Sequence, residues 1–229
     1  MEHGGSAPEE IAPGLWSWAR RHPEWHPGDF GAEVVAFVAA AGDEILAIDP
    51  LMTDEDDPAW ELLDSTGTGP IRVLITIPYH VRSAEAIRDR FGTGREVTIH
   101  GHPACAKRLG SEEDFTAFKA GEELPAGVTA HAIGKPRRFE TPLLVPSHDA
   151  LVFADAVVGT DEGPRVWSAD PIDERVRRFY AEKFNPTLEP LFELDFDRLL
   201  FTHGPSILGG GQDGLREAID APPWYHRPA

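Results

Sequence analysis

The sequence has little sulfur: among 229 residues there are one cysteine, Cys105, and two methionines. A single thiol excludes an internal disulfide and suits a reducing compartment, so a cytoplasmic protein is expected. Cys105 lies in PACAKRL, where a small buried side chain is the expected role. No apolar run approaches the roughly 20 residues that cross a bilayer, and the polar first residues carry no signal-peptide pattern. Positive charge is scarce too. The 21 Lys and Arg face 39 Asp and Glu, a formal net charge of -18. That excess argues against nucleic acid and anionic membranes as partners. Gly-x-Ser-x-Gly, P-loop and dinucleotide fingerprints are absent.

The apolar pattern is strong by comparison. Val73 to Phe91, VLITIPYHVRSAEAIRDRF, reads as a buried strand stopped at Pro78 and a helix begun at Ser83. Ahead of it, Glu33–Ala39 and Glu44–Ile48 form a hairpin across Ala41-Gly42-Asp43, and a short helix surrounds Trp60–Leu63. Glu96–His100 is the next strand, followed by a helix from Ala104 to Leu109 with Pro103 at its first position. This β/α alternation predicts a largely parallel sheet. Ser111–Glu123 is a charged, partly helical connector. A second β/α half follows: strands at Val128–Ile133, Phe139–Val145, Ala150–Phe153 and Arg198–Thr202, and helices at Asp173–Phe184 and Asp213–Ala221. The fold class is α/β.

Three polar residues each follow a buried strand: His80, Asp155 and His203. Ligands bind at the carboxyl ends of strands in α/β sheets. Two imidazoles and a carboxylate suit zinc, iron or manganese. Taken singly, a histidine after a strand is more often a hydrogen-bonded turn residue; the three together weigh about evenly between turn and site.

PGLWSW with the strand end ILAIDP, then ALVFADAVVG and LLFTHGPSILGGG, together resemble the metallo-β-lactamase superfamily from about Ile11 to Ala221. The resemblance implies an αββα four-layer sandwich, one domain over 11–221 between tails at 1–10 and 222–229. It also implies a metal-bridging role for Asp155, a closing ligand at His203 and a structural role for Asp49. The family's His-x-His-x-Asp-His signature should begin after Thr76. Its ligand positions hold Ile77, Tyr79, Val81 and Arg82, with His80 at a non-ligand position. A further ligand histidine falls on Lys135 of Gly134-Lys135-Pro136.

A standard two-metal site is therefore not expected, and no cofactor is. Arg82 and Lys135 would bring fixed positive charge instead, with an Arg82–Asp155 ion pair, and Tyr79 beside them, in a ligand-binding site. The expected function is a hydrolase-like protein that binds a small molecule or acts non-catalytically. The alternative is a variant hydrolase of an ester, lactone or thioester. It would hold one zinc, iron or manganese ion on His80, Asp155 and His203, or use His80 or His203 as a metal-free base with Arg82 on the oxyanion.

Overall fold

The structure is a computed structural model describing residues 7–26, 31–111, 113–137 and 139–225. Residues 27–30 and His226 lie outside the described residues. Chain contacts divide at Lys119 and Ala120 into two units, the two β/α halves of the sequence.

The first unit is a seven-stranded sheet in chain order. Strands β1 (Glu9–Ala12), β2 (Leu15–Arg21), β3 (Glu33–Ala41) and β4 (Glu44–Ile48) are antiparallel neighbours. Beyond β4 the pairing turns parallel through β5 (Ile71–Ile75), β6 (Val97–Gly101) and β7 (Phe115–Ala117). The sheet is thus mixed rather than largely parallel, because hairpins supply its first strands and helical crossovers the rest. Helices α1 (Pro58–Ser65) and α2 (Ala84–Phe91) are those crossovers. Ala59, Leu63, Ala84 and Ile87 pack with Ile45, Ala47, Val73 and Ile99 in one core cluster. Complete burial of Leu63 and Ile87 contributes roughly 1.5–3 kcal/mol each. Asp57 caps α1 by accepting from the Ala59 amide, and its carboxylate takes Nε and Nη2 of the buried Arg20 at 2.7 and 2.6 Å. Burial works to raise the Asp57 pKa, but Arg20 and two backbone amides outweigh it and hold the group low.

Several expectations shift here. The tail drawn to residue 10 is shorter, since Glu9 and Glu10 already pair with Ser17 and Trp16. The helix expected at Ala104–Leu109 is a five-residue 3₁₀ turn, Pro103–Lys107. The connector expected to be partly helical supplies β7, because Phe115 pairs with Ile99 at the sheet edge.

The second unit has a four-stranded sheet ordered β13-β10-β9-β8 and a separate hairpin. Its strands are β8 (Thr129–Ala130), β9 (Leu143–Val145), β10 (Ala150–Phe153), β11 (Val157–Thr160), β12 (Gly163–Val166) and β13 (Arg198–Phe201). Pairs β8–β9 and β9–β10 are antiparallel, and β10 runs parallel to β13. Helix α3 (Glu174–Phe179), capped by Asp173, continues as a wider turn through Phe184, and α4 (Gly211–Asp220) closes the unit. Leu151, Phe153, Leu199 and Phe201 of the sheet share a core with Tyr180, Phe184, Leu215 and Ala218. The C-terminal tail expected from residue 222 is pinned at Trp224. Its N–H donates to the Val166 carbonyl at 2.8 Å, and its carbonyl accepts from Ser168 at 2.8 Å. No described helix is long and apolar enough to cross a membrane.

Candidate active site

In the first unit the site is organised by Asp49, at the end of β4. Asp49 is fully buried with φ of 47°, a conformation that Asp tolerates better than most residues. Its Oδ1 accepts from the Thr76 amide at 2.9 Å. Its Oδ2 takes both the Thr76 hydroxyl and Nδ1 of His80, the latter at 2.9 Å. Facing a carboxylate, Nδ1 carries the ring proton, so Nε2 is the nitrogen with a lone pair for a metal or a proton.

The local rearrangement that brings His80 inward is a 3₁₀ turn, Pro78–His80, which follows directly from the proline that stops the strand. In that turn His80 is buried and Tyr79 faces out, 63% exposed, under the Arg108 guanidinium at 3.9 Å. Arg82 also has positive φ, 37°, and its Nη1 donates to the Asp49 carbonyl at 3.1 Å. Ser83 does not cap α2 with its side chain. Its hydroxyl accepts from the Met52 amide at 2.9 Å, tying the loop after β4 to the start of α2. Cys105, fully buried, has its thiol pushed up to about 12 by burial and by the Asp49 charge, which leaves it unreactive.

In the second unit the parallel pair β10–β13 delivers Asp155 and His203. The Thr202 amide donates to the Phe153 carbonyl at 3.1 Å and the Thr202 hydroxyl to the Ala154 carbonyl at 2.9 Å, so the two strand ends are fixed together. Nε2 of His203 lies 3.4 Å from Oδ1 of Asp155. The turn after His203 depends on a close backbone approach. Gly204 has φ of 75°, and a Cβ there would stand 2.0 Å from the Gly159 carbonyl oxygen.

Two residues missed by the sequence reading complete this half. Glu140 is 1% exposed, and its carboxylate accepts from the amides of Ala154, Asp155 and Ala156 at 3.0, 3.1 and 2.8 Å. Burial first, and then the Asp155 charge, push it up to about 8. Arg137 is the second: its Nη1 lies 3.9 Å from Oδ2 of Asp155. Lys135, two residues earlier, is exposed. Within this unit the cation beside Asp155 is therefore Arg137. A lone acid inside FETPLLV and the three basic residues of KPRR at 135–138 were the available signals.

Three further histidines have local partners. His100 Nε2 meets the Thr98 hydroxyl at 2.8 Å, and burial, then the Arg72 charge, lower it to about 4. His102 accepts from the Ala104 amide at 3.1 Å, and His131 meets Thr129 at 2.9 Å; burial lowers both.

Of the four signature positions, Ile77 and Val81 are buried apolar side chains, Tyr79 faces out, and Arg82 is a cation. None of these offers the imidazole or carboxylate through which the signature binds metal.

No model of a known protein family matches the chain, and no curated protein does. Solved structures do. A metallo-β-lactamase from Erythrobacter litoralis is 14% identical over 93% of this chain and 95% of its own, with a TM-score of 0.62. Another, from Pontibacter korlensis, is 14% identical over 94% and 97%, with a TM-score of 0.63. A metal-soaked flavodiiron core from Synechocystis is 16% identical over 93% of this chain and 59% of that one, with a TM-score of 0.60. By this likeness the chain has the metallo-β-lactamase fold.

Proposed function

We propose that this is a hydrolase-like protein of the metallo-β-lactamase fold whose standard two-metal chemistry is lost and whose strand-end site binds a small molecule. The observation that carries it is the content of the signature positions: buried Ile77 and Val81, outward Tyr79, and cationic Arg82. Fixed guanidinium charge near Asp155 supplies what a second metal ion would otherwise supply, balance for buried carboxylates. In this reading Arg82, Tyr79 and Lys135 contact the ligand together with Asp155 and His203, and Arg82 pairs with Asp155. The protein works in the cytoplasm, with neither nucleic acid nor membrane as partner.

The test has two parts. Metal content is measured on protein purified without chelator or a histidine tag, and a small-molecule screen is run on wild type and Arg82→Met. The reading expects substoichiometric metal and at least one ligand whose binding weakens in Arg82→Met. Unchanged ligand binding and unchanged stability in that variant would remove Arg82 from the site.

The Asp49–His80 hydrogen bond favours a second reading, a variant hydrolase. A histidine held by a carboxylate through Nδ1 is the usual arrangement of a metal ligand or a general base. His80, Asp155 and His203 offer two imidazoles and a carboxylate, a donor set that fits one zinc, iron or manganese ion. Such an ion would acidify a bound water toward attack on an ester, lactone or thioester carbonyl. What the chain itself contributes is orientation: Asp49 fixes the His80 ring, and Glu140 fixes the loop that carries Asp155.

A further inference from the structure

Arg137 is held beside Asp155 by a scaffold that lies within the second unit. Its Nη1 is 3.9 Å from Oδ2 of Asp155, and its Cζ lies 3.9 Å from the centre of the Trp167 ring. On its other side, Oδ1 of Asp155 lies 3.4 Å from Nε2 of His203. The Arg137 and Asp155 side chains are 14% and 18% exposed, so solvent and salt screen their charges only in part.

Trp167 is fixed through four successive main-chain groups. The Val166 carbonyl accepts from the Trp224 amide at 2.8 Å, and the Trp167 amide donates to the Ala156 carbonyl at 3.1 Å. The Trp167 carbonyl accepts from the Tyr180 hydroxyl at 3.1 Å, and the Ser168 amide donates to the Trp224 carbonyl at 2.8 Å. Ala156 is the chain neighbour of Asp155. The residue whose ring carries the guanidinium is thus bonded to the loop that carries the carboxylate, and the two charges are set against each other by a closed circuit.

The consequence is electrostatic. Asp155 and His203 are donors of the kind that zinc, iron or manganese takes. Any such ion on Asp155 would meet a guanidinium charge already fixed 3.9 Å from the same carboxylate. Repulsion between like charges a few ångströms apart at a partly buried site is large enough to weaken binding tenfold or more. We propose that Arg137, on its Trp167 platform, keeps divalent ions off Asp155 and His203. The donors are of the right kind, and the charge beside them opposes the ion. The proposal rests on the reading that metal chemistry is lost, and names the group responsible. It makes Trp167 a positioning residue that acts through Arg137.

The experiment measures zinc affinity of the full chain by competition with a chromophoric chelator, at neutral pH and constant ionic strength. Wild type is expected to bind zinc weakly. Arg137→Met and Arg137→Gln are each expected to bind it at least about tenfold more tightly, and the second covers the case in which the first does not fold. Adding His203→Ala to either variant should abolish the gain, which assigns the ion to this site. Trp167→Leu, which keeps an apolar side chain without the ring face, should show part of the gain, and Trp167→Phe should stay near wild type. Equal zinc affinity in wild type and both Trp167 variants overturns the positioning role, since a merely structural tryptophan would change stability alone. Unchanged affinity in the Arg137 variants, or a gain that survives His203→Ala, overturns the proposal and leaves the loss of metal chemistry standing. Tight, stoichiometric zinc in wild type overturns both.

Discussion

Replacing Asp49 by Asn tests the reasoning about the first unit most sharply. The change preserves shape, and Asn tolerates the positive φ of 47° as Asp does. The remaining oxygen can still accept the Thr76 amide, and the Thr76 hydroxyl can rotate to accept from the new NH₂ group. His80 has no such freedom in its present form: its Nδ1–H would face an N–H donor. The ring is expected to switch tautomer, placing the proton on Nε2 and withdrawing the lone pair from the site. Loss of one charge-assisted hydrogen bond should cost about 1.5–3 kcal/mol. Asp49→Ala removes the acceptor for Thr76 N–H, Thr76 O–H and His80 Nδ1–H together and puts Ala at a left-handed position, so about 3–5 kcal/mol is expected. Urea unfolding gives the stability differences, and the two imidazole nitrogen shifts of His80 report the tautomer. An Asp49→Asn protein whose His80 keeps its proton on Nδ1 would refute the argument.

Three further outcomes follow from the same geometry. Gly204→Ala forces a Cβ to 2.0 Å from a carbonyl oxygen, so denaturant unfolding should show a loss above about 4 kcal/mol or no folded protein. Glu140 is raised from an ordinary 4.5 to about 8, so it binds its proton more tightly folded than unfolded. Its contribution is full below pH 4.5 and is lost as pH rises through about 8, and the stability of wild type relative to Glu140→Gln should fall across that window. His100 has the opposite sign: lowered from 6.5 to about 4, it contributes stability above pH 6.5 that is lost as pH falls through about 4, and His100→Gln should flatten that acid limb.

Much of the fold was legible because burial leaves a strong signal in strands. The β3–β4 hairpin and the runs at Ile71–Ile75, Ala150–Phe153 and Arg198–Phe201 are continuous apolar stretches, and each is a strand within two residues of the expected place. The short edge strand Phe115–Ala117 was not legible: two of its three residues are exposed, so only its pairing with β6 defines it. The strand expected at Val128–Ile133 is present but shortened to Thr129–Ala130. The β11–β12 hairpin was hidden because Val157–Thr160 reads as a continuation of the strand before Asp155.

The site was legible to the same degree. Asp155 and His203 stand at parallel strand ends and meet at 3.4 Å, as strand-end polar residues can. The inward turn of His80 needed the Pro78 turn and the Asp49 carboxylate, which no spacing rule contains. Glu140 and Arg137 lie in a loop without periodicity, and only the tertiary fold brings one to the Asp155 amide and the other to its carboxylate.

The most direct measurement of the central claim is elemental metal content of wild type and His203→Ala, both purified without chelator or a histidine tag. The proposed small-molecule reading predicts substoichiometric zinc, iron or manganese in both proteins, whereas about one equivalent in wild type, lost in the variant, would favour the single-ion hydrolase. Two tightly held equivalents in wild type would contradict it and return the protein to standard two-metal chemistry.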